Sequence, residues 1–221
     1  MTDRWLVLFD VDGTLLLTHD EVYVDASGIA MEEVFGRNAE GPDVPGDTAT
    51  AHVRRALQAS GVPDAEIEAG LPQWCTVFSR EYVRLLGDAD TSHWVLAPHA
   101  QEALADLARP ALLTGNPPAV ARARMERLDI GRYFPIGQGA FGCERDTRIE
   151  LFDLARGRAG NWPAERTVAV GDTPLDVSSA HAAGCRCIGV TTGSFTAEQL
   201  VAADVAIADL SGLANALGQL T

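Results

Sequence analysis

Four short apolar runs in this chain end in the same way, on an aspartate or a threonine with a glycine close by. They are "LVLFD" leading into "VDGT", "ALLTG", "TVAVGD" and "IGVTTG". Their apolar residues do not alternate with polar ones. A strand with one wet face alternates, whereas a strand covered by helices on both faces does not. Helical patterns separate the runs, over 99–109, 117–128, 148–159 and 174–183. The third carries Ile149, Leu151, Phe152, Leu154 and Ala155 as an apolar stripe. With a fifth run at 205–207, this order predicts an α/β fold built on a parallel sheet with right-handed crossovers.

One interval breaks the rhythm. About a hundred residues separate the run at 6–9 from the run at 111–113, far more than one crossover needs. Helices are expected within it at 20–36, 47–60, 64–69 and 72–86, punctuated by "EGPDVPGD" and "GVPD". Residues 18–94 are therefore expected to form a helical insertion, with 1–17 and 95–221 as the core domain. Leaving from the carboxyl end of the first strand, the insertion would cover that end as a lid.

Composition narrows the function. A net charge of −14 argues against nucleic acid as a partner, because phosphate backbones call for basic patches. It leaves room for a small phosphorylated ligand whose charge a divalent cation offsets. All 17 basic residues are arginine, which excludes a Schiff-base lysine and a Walker A lysine. No apolar run approaches the roughly 18 residues of a membrane span, and Asp10 interrupts the first, so no membrane partner and a cytoplasmic location are expected. Cys75, Cys143, Cys185 and Cys187 form no CxxC pair and have no spaced histidine beside them. They read as small buried hydrophobes in a reducing compartment. A monomer or a homodimer would fit.

In open parallel sheets, ligands bind beyond the carboxyl ends of the strands. The first run presents Asp10 and Asp12 there, and the second presents Thr114, Gly115 and Asn116. The third presents Asp172 and, four residues on, Asp176; the fourth presents Thr191, Thr192 and Gly193. Singly, each is ordinary turn or helix-cap chemistry. Together, four carboxylates at one edge repel one another unless a cation sits among them. Hard oxygen donors of this kind suit Mg²⁺.

"DVDGT", "LLTGN" and "GDTPLD" resemble motifs I, II and IV of the haloacid dehalogenase-like (HAD) hydrolase superfamily, in order across roughly residues 5–192. "DVAIADLSGL" is similar to the family's C-terminal strand and helix, and the arrangement looks most like phosphoglycolate-phosphatase-like members. The resemblance implies a Rossmann-like three-layer core with an inserted helical C1 cap. It implies a Mg²⁺-dependent phosphatase acting on a small phosphorylated metabolite through an aspartyl-phosphate. Asp10 would be the nucleophile and Asp12 the general acid and base. Asp10, the Asp12 carbonyl and Asp172 would hold the metal, with Asp176 contributing directly or from behind. Thr114 and the backbone N–H groups of Gly115 and Asn116 would bind phosphoryl oxygens.

Motif III departs from the family, which usually places a lysine there. "CERDTRIELFDLA" offers Arg145 and Arg148, and Arg148 is favoured as the catalytic and substrate-binding cation because it stands just before the helical pattern. A phosphoglucomutase-like transfer and a catalytically idle fold used for binding are the rival readings. The family comparison sets Asp12 against carbon–halogen hydrolysis, and the intact set of Asp10, Asp12, Thr114 and Asp172 weighs against an idle fold.

Other residues carry weaker signals. His19, His52, His93, His99 and His181 lack metal-ligand spacing; His181 reads as packing or surface, and His19 lies where it could meet substrate. Arg54, Arg55, Arg80 and Arg84 could reach an anion, although a solvated face is the expected role of the last two. Trp74, Phe78 and Tyr82 recur at helical spacing and are expected to form the insertion's core. "VPGDT" at 44–48 is a candidate specificity loop, and "GQGAFG" reads as a connection between elements.

Overall fold

The computed structural model describes residues 4–220. Its sheet has six strands: β1 (Leu6–Phe9), β2 (Pro110–Thr114), β3 (Ala140–Phe141), β4 (Thr167–Gly171), β5 (Arg186–Val190) and β6 (Val205–Ile207). All pair in parallel, in the order β3-β2-β1-β4-β5-β6. Strand order reverses between β1 and β4, which is where open α/β sheets form a ligand crevice. Pairing of Phe9 with Leu112 and with Val170 brings the residues after β1, β2 and β4 side by side.

The lack of alternation has a direct cause. Val7 and Phe9 of β1 pack into one core layer with Ala121 and Met125 of α5 (Pro118–Arg127) and Leu213 and Leu217 of α8 (Leu213–Gln219). Leu6 and Leu8 face the opposite layer, against Leu151 and Phe152 of α6 (Arg148–Arg158) and Val177 and Ala180 of α7 (Pro174–Ala182). Both faces of β1 are buried, so every position is apolar. A short α4 (Ala100–Ala105) adds Leu104 to the first layer.

Three helices lie between β1 and α4: α1 (Glu21–Phe35), α2 (Ala49–Ala59) and α3 (Asp64–Asp88). Asp20 caps α1 by accepting from the Tyr23 N–H, and Thr48 caps α2. The three share a hydrophobic cluster in which Trp74, Phe78 and Tyr82 meet Ala26, Ala30, Val53 and Leu57. The sequence predicts two helices, 64–69 and 72–86, where the structure has one running through Pro72. Pro72 removes one helical hydrogen bond. The stripe Ile67, Leu71, Trp74 and Phe78 is buried on both sides of it, and that burial carries the helix across. No helix among the described residues is long and apolar enough to cross a membrane.

Two further expectations need correction. "GQGAFG" contains β3, a strand whose two residues are too few to show a period. Cys75 and Cys143 are not free thiols: they form a disulfide that ties α3 to the segment after β3. No local spacing signals a pair 68 residues apart; the fold creates it. Cys185 and Cys187 remain free and buried. Closing a loop of that length restricts the unfolded chain, so replacing both Cys75 and Cys143 by serine should cost about 4 kcal/mol. Urea unfolding of that double variant checks this, and an unchanged midpoint would contradict it.

Candidate active site

Asp10 leaves β1 with its N–H bonded to Val170 O at 2.9 Å and is only 5% exposed. The chain then turns through Gly13, whose φ of +76° is left-handed. Glycine is also needed there for space, since a Cβ would lie 2.3 Å from Asp172 Oδ2. Gly193, after β5, approaches the same carboxylate, and its Cβ would fall 1.8 Å from that oxygen. Thr14 Oγ1 donates to Asp172 Oδ1 at 3.2 Å. Asp172 is thus held between two backbone segments that only glycine allows so close.

Arg148 is the first residue of α6, whose start is fixed by a capping box between Thr147 and Glu150. Its buried guanidinium lies 3.1 Å from Asp10 Oδ1, pairs with Asp176 Oδ1, and donates from Nη1 to Gly46 O at 2.8 Å. Its Nε has no partner. Arg145, the other candidate, is exposed and donates to the carbonyl of Glu144. Asp176 sits in the first turn of α7, where its Oδ2 accepts from the Thr173 N–H at 3.0 Å and hydroxyl at 2.7 Å. Both of its oxygens are therefore engaged within the protein.

Carboxylate oxygens of Asp10, Asp172 and Asp176 lie within 4.8 Å of one another. Burial pushes Asp10 well above the usual carboxylate range; Arg148 opposes that, and the charges of Asp176 and Asp172 add to it. Burial, followed by the charge of Asp176, pushes Asp172 up to about 7. Burial disfavours the charge on Arg148, but Asp176 and Asp10 more than offset this and keep it protonated. One guanidinium does not balance three carboxylates. Buried, oxygen-only donors with raised proton affinity fit a hard divalent cation. Asp176 offers an oxygen within the same 4.8 Å, although its two oxygens already accept from Arg148 and Thr173.

Asp12 lies on the other side of the turn, with its side chain 56% exposed. Asn116 Nδ2 donates to its Oδ2 at 2.7 Å and to Thr114 Oγ1 at 2.8 Å. Arg124 Nη1 reaches Asp12 Oδ1 at 3.0 Å. The segment 44–48 docks onto this edge, because Ala49 N–H donates to Gly115 O at 2.9 Å while Gly46 O accepts from Arg148.

Residues 6–184 match a family model described as haloacid dehalogenase-like hydrolase. The chain belongs to the HAD-like hydrolases. This hydrolase is 29% identical over 201 residues to the phosphoglycolate phosphatase of Pseudomonas fluorescens, covering 85% of the chain and 70% of the relative. Its identity to the phosphoglycolate phosphatase of Salmonella typhimurium is 28% over 232 residues, covering 96% and 92%. Among solved structures it resembles CbbY from Rhodobacter sphaeroides in complex with phosphate, with a TM-score of 0.69 at 20% identity over 96% of this chain and 98% of that one. That likeness shows the fold.

The structure of this HAD hydrolase thus brings Asp10, Asp12, Thr114, Asn116, Arg148, Asp172 and Asp176 to one end of the sheet. Several other candidates have different surroundings. His19 is exposed, and His181 pairs with Asp204 at 3.0 Å. Arg80 and Arg84 pair with Glu33 and Glu81, and Arg54 and Arg55 with Glu68 and Asp47. Arg124 escaped the sequence reading because it looks like one more arginine in a polar helix. The available signal was its position among Val120, Ala121 and Met125 on the buried face of α5.

Proposed function

We propose that this HAD hydrolase is a Mg²⁺-dependent phosphatase that cleaves a small phosphorylated metabolite through an aspartyl-phosphate on Asp10. The observation that carries this reading is the buried Asp10, paired with Arg148 and flanked by Asp172 and Asp176, two residues before a second carboxylate. An oxygen of Asp10 attacks phosphorus, the bond to the leaving oxygen breaks, and Asp12 delivers a proton to that oxygen. Asp12 then takes a proton from water as the water oxygen attacks phosphorus, and the bond to Asp10 breaks to regenerate the carboxylate. Arg148 holds Asp10 and balances charge on the phosphoryl group. Thr114 and the N–H groups of Gly115 and Asn116 bind its oxygens. Mg²⁺, held by Asp10, the Asp12 carbonyl and Asp172 with Asp176 behind them, would neutralise the repulsion between carboxylate and phosphoryl oxygens. Residues 18–94 act as the lid that excludes bulk water. The relatives named phosphoglycolate phosphatase support a small phosphomonoester as substrate.

Phosphate release from p-nitrophenyl phosphate and a panel of phosphorylated metabolites, measured with Mg²⁺ and with chelator, tests the reading. Turnover that requires Mg²⁺ is expected; no turnover on any ester would contradict it. A linked prediction concerns pH. Because the pKa of Asp172 is raised to about 7 in the folded protein, its contribution to metal-free stability is complete below its ordinary value near 3.8. That contribution is lost as pH rises through about 7. Protons and cation compete for the same oxygens. Millimolar Mg²⁺ should raise the thermal midpoint more at about pH 8 than at about pH 5.5, and an equal rise at both would contradict the assignment.

A further inference from the structure

We propose that Arg124 is a positioning residue that fixes the Asp12 carboxylate for proton transfer and couples it to the helical insertion through Asp20 and Tyr82. The inference rests on the phosphatase reading above. Arg124 is 2% exposed, and its guanidinium is bound by protein groups on both sides. Nη1 lies 3.0 and 3.1 Å from the two oxygens of Asp12 and 3.1 Å from Asn116 Oδ1. Nε donates to Asp20 Oδ2 at 2.8 Å and to the Tyr82 hydroxyl at 3.2 Å, and Nη2 lies 2.7 Å from Asp20 Oδ2. Tyr82 donates to the same Asp20 oxygen at 2.7 Å. The rings of Tyr23 and Tyr82 lie 4.9 and 5.6 Å from the guanidinium carbon.

This set of contacts leaves the guanidinium committed to the protein rather than presented to a substrate. Asp12, by contrast, is more than half exposed, on a turn where a carboxylate has several staggered rotamers open to it. Arg124 and Asn116 are its side-chain partners, and together they select one orientation. The planar fork of arginine suits this role, because it binds Asp12 on one edge and Asp20 on the other. Asp20 caps α1 and Tyr82 belongs to α3, so the orientation of the proton-transferring carboxylate depends on how the insertion is seated.

The step at issue is hydrolysis of the phosphoenzyme. The water oxygen bonds to phosphorus, its proton passes to Asp12, and the bond from phosphorus to Asp10 breaks with its electron pair returning to the carboxylate. With p-nitrophenyl phosphate the first step needs little help, since p-nitrophenolate departs without a proton. Arg124→Lys keeps a charge but cannot span both carboxylates. Arg124→Gln combined with Asp20→Asn avoids stranding a buried charge and serves if the single variant folds poorly.

Rapid mixing of each folded variant with p-nitrophenyl phosphate and Mg²⁺ should give a burst of p-nitrophenolate at close to the wild-type burst rate. The following steady state should be slowed by about 100-fold, the scale of a lost proton-transfer contribution. A merely structural role would scale burst amplitude and steady rate down together. That result, or a steady rate within about 3-fold of wild type, would overturn the proposal. Wild-type protein without Mg²⁺-dependent turnover would instead fail the phosphatase reading itself.

Discussion

Asp10→Asn should abolish hydrolysis while leaving the protein folded. Loss of a covalent nucleophile costs on the order of 10⁴-fold or more in turnover, because the remaining groups cannot form the intermediate. Asparagine has the same shape and no negative charge to attack phosphorus. The substitution also relieves a tension in the site, where burial and neighbouring carboxylates push the Asp10 pKa upward. Arg148 keeps Asp176 as a partner. The metal-free variant should therefore unfold at a temperature equal to or above that of wild type near pH 8, with a smaller gain from Mg²⁺. Parallel assays of phosphate release and thermal unfolding check both expectations. Retained turnover would remove Asp10 as the nucleophile.

Arg148→Met should be the most destabilising single change at the site. Arg148 is the buried cation between Asp10 and Asp176, and all three side chains are almost fully enclosed. Removing one partner of a buried ion pair strands the other, at a cost of about 3–5 kcal/mol. Without the guanidinium, nothing opposes the upward shift of the Asp10 pKa, so the variant should recover stability as pH is lowered from about 8 toward about 5.5. Arg148→Lys keeps the charge and should lose less, although lysine cannot reproduce the bond from Nη1 to Gly46 O. Denaturant unfolding of both variants at the two pH values tests the order. A Met variant as stable as wild type at pH 8 would show that the buried charges are balanced in another way.

The fold was legible because its strands are buried on both faces and so read as unbroken apolar runs, of which Leu6–Phe9 is the clearest. Residues at strand ends could be named because a parallel sheet gathers them at one edge whatever the connections between them. Contacts that depend on packing across the chain were not legible. The bond between Cys75 and Cys143 joins elements that nothing in the local sequence relates. β3 is too short for a period, and Pro72 interrupts a pattern that burial sustains. Arg124 is the most instructive omission. A helical arginine is ordinarily solvated, and only the tertiary structure brings Asp12 and Asp20 to either edge of this one.

The central claim is that the phosphoryl group passes through Asp10. The most direct measurement is acid quench of a single turnover with a phosphomonoester labelled in its phosphate, followed by peptide mapping. The account predicts label that rises and decays on the peptide containing Asp10, and none in Asp10→Asn. Label on another residue, or turnover with no protein-bound phosphate at any time, would contradict it.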